Sequence, residues 1–166
     1  MDKSLFTDRG VVYPWHLDSM GHMNVQHYTA AFDQSSWILL ACVGLDAAYF
    51  RDASSGVAAV EQTTHYNAEL RAGEVFEIHS SILAVREKTM RLRHEMYKSG
   101  TYTLAASATI IGVHLDMNTR KGSPVPEPVR QRVLSLWPAA SCLEFAIPGP
   151  EMNNVDSEIE SERRLS

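Results

Sequence analysis

Three features of the chain predict an α+β domain, a curled antiparallel sheet wrapped around one long buried helix. One run, residues 25–43, is strongly apolar with helical spacing. A single β-like segment precedes it, and about four segments with strand-like alternation follow. The chain has 166 residues, 45% apolar and 21% charged, which suits one globular domain with a sizeable core. Wrapping one antiparallel sheet around the helix buries the helix stripe and one face of every strand. The domain is expected over 1–147, followed by an acidic, disordered tail over 148–166.

The elements follow in order. Residues 6–15 read as a strand centred on Val11, Val12 and Tyr13, and 16–24 as a polar loop. Asn24 is the expected N-cap of a helix over 25–43. Its stripe is Tyr28, Ala31, Phe32, Ser35, Leu39 and Val43. Trp37, Ile38, Leu40 and Ala41 make the opposite side apolar too, which predicts burial nearly all round. Gly44 is the expected stop. After a short irregular stretch, strands are expected over 56–68, 74–86, 89–98 and 101–114, with a hairpin turn at Lys98-Ser99-Gly100. A Pro-rich segment, 123–128, ends the sheet, and Pro128 sits in the first turn of a short helix ending at Leu136.

Composition excludes several classes. Net charge is −5, of which the five acids and two arginines of 151–166 contribute −3. The body is near neutral with no basic stripe, which argues against nucleic-acid binding. No apolar run approaches the length of a membrane span. The start, MDKSLFTDRG, lacks the apolar core of a signal peptide. Cys42 and Cys142 are far apart, which fits a reducing cytoplasm, with Cys42 expected as a buried thiol. No G-x-S-x-G nucleophile motif, phosphate loop or dinucleotide fingerprint is present. His16, His22 and His27 are too loosely spaced for a zinc set, and neither metal nor organic cofactor is assigned.

Residues 15–28, WHLDSMGHMNVQHY, carry the chemistry. Asp18 stands three residues before Gly21, and Asn24 leads into the helix. A loop running into a buried helix aims backbone N–H groups at one point, and a carboxylate beside that point can attack a polarised carbonyl or activate water against it. Asp18 alone would read as an ordinary turn residue. Arg91, Arg93, Arg120 and Lys121 read mostly as solvated strand-end charges, some of them available to phosphates.

The segment Asp18-Ser19-Met20-Gly21-His22-Met23-Asn24 resembles the signature of hotdog-fold acyl-CoA thioesterases of the 4-hydroxybenzoyl-CoA thioesterase type, D-x-D-x-x-G-H-x-N before a helix with an early Tyr, here Tyr28. Tyr66 to Glu74 resembles the family's tyrosine, bend and Gly-acid strand start. Asp116–Arg120 with Pro124–Pro128 resembles its closing strand and Pro-rich helix start. The likeness covers about residues 6–137. His16 replaces the first acid of the pair, while the acid that the family uses for catalysis remains as Asp18. The resemblance implies acyl-CoA hydrolysis, with Asp18 as nucleophile or general base. It also implies Val25 N–H as the carbonyl-polarising donor and Gly21 as a point of close backbone approach. Asn24 either caps the helix or orients water. The alternative is a non-hydrolytic or dehydratase-like hotdog protein that binds acyl thioesters, for which His22 would be the working group.

Among this family the chain is most similar to the betainyl-CoA thioesterases of carnitine breakdown. A trimethylammonium group is held by aromatic faces and a nearby acid. Trp15, Tyr28, Trp37 and Tyr66 with Glu61 are the expected cage, with His16 and Thr63 as further substrate-binding candidates. The bland reading of Trp15, Trp37 and Tyr66 is core aromatics. One sheet around one helix leaves an open edge, so a homodimer or homotetramer is expected; the resemblance implies an active site at that interface, with strand 56–68 contributing Glu61, Thr63 and Tyr66 across it.

Overall fold

The computed structural model describes residues 4–141. Strand β1 (Leu5–Val11) is followed by a short 3-10 turn at Pro14–His16. It is shorter than the expected 6–15, because Pro14 sets the first position of that turn and the His16 N–H closes onto the Tyr13 carbonyl at 2.9 Å. Helix α1 (Val25–Cys42) begins where expected: the Asn24 carboxamide oxygen accepts the Gln26 N–H at 3.1 Å. Gly44 follows with φ +97°, the left-handed value that favours glycine at a helix stop. A six-residue helix, α2 (Ala47–Asp52), occupies the stretch expected to be irregular, capped by Asp46, whose side chain accepts the Tyr49 N–H at 2.8 Å.

Strands β2 (Ser55–Tyr66), β3 (Val75–Val85), β4 (Thr89–Lys98) and β5 (Thr103–Asp116) confirm the four expected segments within two residues at each end. A two-residue strand, β6 (Lys121–Gly122), helix α3 (Glu127–Leu136) and a short turn at Pro138–Ser141 are the last of the described elements. Among the described residues all strand pairs are antiparallel, in the order β1-β3-β4-β5-β2, with β6 on β5. The expected acidic tail at 148–166 and Cys142 lie outside the described residues.

The sheet curls around α1. Phe32 and Leu39 of α1 are fully buried, as are Ile78, Met90 and Met96 of the facing strands. Each such side chain contributes roughly 1.5–3 kcal/mol by leaving water. The core has two ends. Leu39, Leu40, Val43 and Leu45 pack with Ile82, Met90 and the α3 side chains Val129 and Val133 at one. Tyr28, Phe32, Met23 and Leu70 pack with Ile78, Met96 and Ala106 at the other.

Three expectations about burial are corrected. Helix α1 is not buried all round: Trp37 and Ile38 are 48% and 42% exposed, and Ala41 is exposed. The sheet curves around one side of the helix and leaves the other to solvent. Cys42, expected as a buried thiol, lies on that open side and is exposed. Nor are the three questioned aromatics core residues, since Trp15 is 72% and Tyr66 50% exposed. Among the described residues no helix is long and apolar enough to cross a membrane.

Candidate active site

The Asp18 loop is a tight, closed turn. Leu17 bridges Met23, the Asp18 N–H donates to the His22 carbonyl at 3.0 Å, and the Gly21 N–H donates to the Asp18 carbonyl at 3.1 Å. Gly21 has φ +82°, and a Cβ there would meet nothing within 4 Å, so the glycine is demanded by backbone conformation and not by crowding. The Asp18 carboxylate is fixed by one oxygen, Oδ1, which accepts the Met20 N–H at 2.8 Å. Its other oxygen, Oδ2, faces His22 Nδ1 at 3.8 Å.

Asp18 lines a cavity of about 330 Å³ whose floor is the helix-start end of the core. His22, Val25, Tyr28 and Tyr66 line it too. Val25 is the first residue of α1, where an N–H has no acceptor within the helix and points outward along the helix axis. Tyr28 is 4% exposed, and Tyr66 rests edge-on against it with ring centroids 5.2 Å apart at 82°. Burial raises the Tyr28 phenol above its ordinary value, so it stays a neutral ring at physiological pH.

One cavity residue, Glu69, was not singled out in the sequence. The chain leaves β2 at Tyr66, and the Ala105 carbonyl accepts both the Asn67 and Ala68 N–H groups, which turns the backbone inward. Leu70 then plugs the core, and its carbonyl accepts the Met23 N–H at 2.7 Å. Between these anchors Glu69 is placed opposite Asp18, its Oε1 3.7 Å from His22 Nε2. His22 therefore lies between two carboxylates.

The remaining expected site residues are elsewhere. Asn24 caps the helix with its side-chain oxygen, the first of its two expected roles. His16 lines a second cavity, between β1 and α1, its ring 4.3 Å from that of His27 and its Nδ1 accepting the Tyr13 N–H at 3.2 Å. Burial, then the neighbouring His27, lowers the His16 pKa. Met23 separates this cavity from that of Asp18 and lines both. Trp15 stacks on Tyr13 at 4.6 Å and points to solvent. Trp37 meets Phe50 of α2 at a separate apolar groove. Glu61 and Thr63 face away from α1: Tyr66 faces the helix, and residues an odd number away along an extended strand face the other side. The five-membered cage expected around Asp18 thus reduces, within one chain, to Tyr28 and Tyr66. Arg93, expected as a strand-end charge, is mid-strand in β4 and pairs with Glu95 at 2.9 Å.

Residues 12–133 match the family model described as the thioesterase-like superfamily. The chain is 26% identical over 152 residues to a betainyl-CoA thioesterase of Pseudomonas aeruginosa, an alignment that covers 91% of this chain and 92% of that one. It is 31% identical over 124 residues, 74% of its length, to an L-carnitine dehydrogenase/betainyl-CoA thioesterase of Ruegeria pomeroyi, of which it spans 25%. A Staphylococcus aureus protein solved in complex with CoA superposes with a TM-score of 0.76 at 20% identity, over 89% of this chain and 91% of that one.

Proposed function

Since the chain belongs to the thioesterase-like superfamily and is an acyl-CoA thioesterase of hotdog fold, we propose that Asp18 is its catalytic carboxylate and betainyl-CoA its substrate. The observation that carries this reading is the single cavity shared by Asp18, the start of α1 and two tyrosine rings. A thioester carbonyl seated there would point its oxygen at the Val25 N–H, and its carbon would face Asp18. As the tetrahedral intermediate forms, negative charge collects on that oxygen. A donor already in place stabilises it at no reorganisation cost, worth roughly 3 kcal/mol of barrier. Asp18 either attacks the carbon, expelling CoA thiolate and leaving an anhydride that water cleaves, or takes a proton from the water that attacks. Both routes consume one water and yield the free acid and CoA.

The betainyl group is supported by the 26% identical relative and by the chemistry of the cavity walls. An acyl-CoA panel read by thiol release tests it. Betainyl-CoA should exceed its uncharged isostere, 3,3-dimethylbutyryl-CoA, in kcat/KM by at least about tenfold, equivalent to 1.4 kcal/mol. Equal values would leave a general short-chain acyl-CoA thioesterase.

We read the active form as a cytoplasmic homodimer or homotetramer. Strand β2 is twelve residues long, pairs among the described residues with β5 alone, and exposes Val60 and Tyr66 at 48% and 50%. A long open edge is an invitation to pair with another strand, and a second copy of β2 would cover it. Light scattering at micromolar concentration should give at least two chains per particle. A fully active monomer would contradict this reading.

A further inference from the structure

We infer that Glu69 selects a cationic acyl group: its carboxylate, with the rings of Tyr28 and Tyr66, holds the trimethylammonium head beside the thioester. This rests on the betainyl-CoA reading above. In betainyl-CoA the ammonium nitrogen is two bonds from the carbonyl carbon, about 2.5 Å away by ordinary N–C–C geometry. Groups that recognise the head must therefore line the same cavity as Asp18. Of the acids and aromatics named as a possible cage, those that one chain places on this cavity are Tyr28 and Tyr66, and the acid that the same chain adds to them is Glu69.

The two rings meet nearly at right angles, which makes a corner where an onium group can touch one ring while resting against the other. Glu69 stands opposite Asp18. Its Oε2 is 3.4 Å from Arg71 Nη2, but that guanidinium side chain is 73% exposed, so the pair is screened by water and weakly held. A head drawn into the cavity is desolvated against the rings, while Glu69, its own side chain 57% exposed, gives up little water to stand beside it. A neutral acyl group gains nothing from this carboxylate. An acyl group ending in its own carboxylate would meet both Asp18 and Glu69 and be rejected.

The experiment compares betainyl-CoA with 3,3-dimethylbutyryl-CoA on the full chain, wild type and variants. Glu69→Gln, close in shape and uncharged, should cut the wild-type preference for betainyl-CoA by about tenfold. Glu69→Asp should restore much of it, and Glu61→Gln should keep it. A wild-type chain with no preference would overturn the substrate reading and the role of Glu69 together. A preference that is present in the wild type and survives Glu69→Gln, or that disappears in Glu61→Gln instead, would overturn the role of Glu69 alone.

Discussion

Asp18→Asn should lower kcat by at least about a hundredfold, a loss of roughly 2.7 kcal/mol of transition-state stabilisation, with the fold unchanged. The substitution isolates charge from shape. In the wild type, Oδ1 already acts as the acceptor for the Met20 N–H. The carboxamide oxygen of asparagine can take over that contact, so the closed turn persists. What disappears is the free oxygen, Oδ2, that can attack carbon or accept a proton from water. A carboxamide does neither at useful rates. The check is steady-state thiol release from an acyl-CoA, alongside thermal melting. A melting temperature near that of the wild type would establish that the turn survived, and near-normal turnover in such a protein would remove Asp18 from the mechanism. Val25 offers no equivalent side-chain test because its contribution is a backbone N–H. Its effect would be read indirectly, through Asn24→Ala, which loosens the helix start by about 1 kcal/mol.

The order of elements and the Asp18 turn were legible in the sequence because each rests on a local rule: period 2 in the strands, an Asn cap, a glycine with positive φ. The same periods decide which of the expected cage residues can meet within one chain. Tyr28 and Trp37 are nine residues apart on one helix. At 3.6 residues per turn that separation is two and a half turns, so they face opposite sides. Glu61 and Tyr66 are five apart on one strand, an odd number, and cannot share a face. Counting alone separates these pairs within one chain. It does not place Glu69, whose direction follows from the carbonyl of Ala105 turning the chain inward and from Leu70 docking under Met23, contacts between segments far apart in sequence. The open side of α1 was hidden for a related reason. An apolar helix reads as buried whatever covers it, and a single curled sheet covers one side only.

Acid should destabilise the protein through His94, well before carboxylates are protonated. His94 lies at the centre of the core with no exposed surface, and its ring joins three elements. Nε2 is 2.9 Å from the Ser36 hydroxyl of α1, and Nδ1 is 2.7 Å from the Ser80 hydroxyl of β3, which in turn is 2.7 Å from the Thr7 hydroxyl of β1. Ser36 gives its own proton to the Phe32 carbonyl at 2.9 Å, so it accepts from an Nε2–H. Nδ1 is then the acceptor for Ser80, and the neutral ring is fully bonded. A second proton would place a charge where water cannot reach, and burial accordingly pushes the His94 pKa down to about 4. In the unfolded chain an ordinary histidine titrates near 6.5. Between these values the unfolded state binds a proton that the folded state refuses. Stability is thus intact above pH 6.5, falls as pH drops toward 4, and changes no further from this residue below that. The loss approaches roughly 3 kcal/mol over the window, at about 1.4 kcal/mol per pH unit. His16, lowered in the same direction, adds to the slope, so the two are separated by substitution. Urea unfolding between pH 7 and 4.5 should give a wild-type slope steeper than that of His94→Gln by close to one proton, whatever the variant's absolute stability. Parallel slopes would mean that the folded core accepts the proton, with the hydroxyls of Ser80 and Thr7 turning round to receive it.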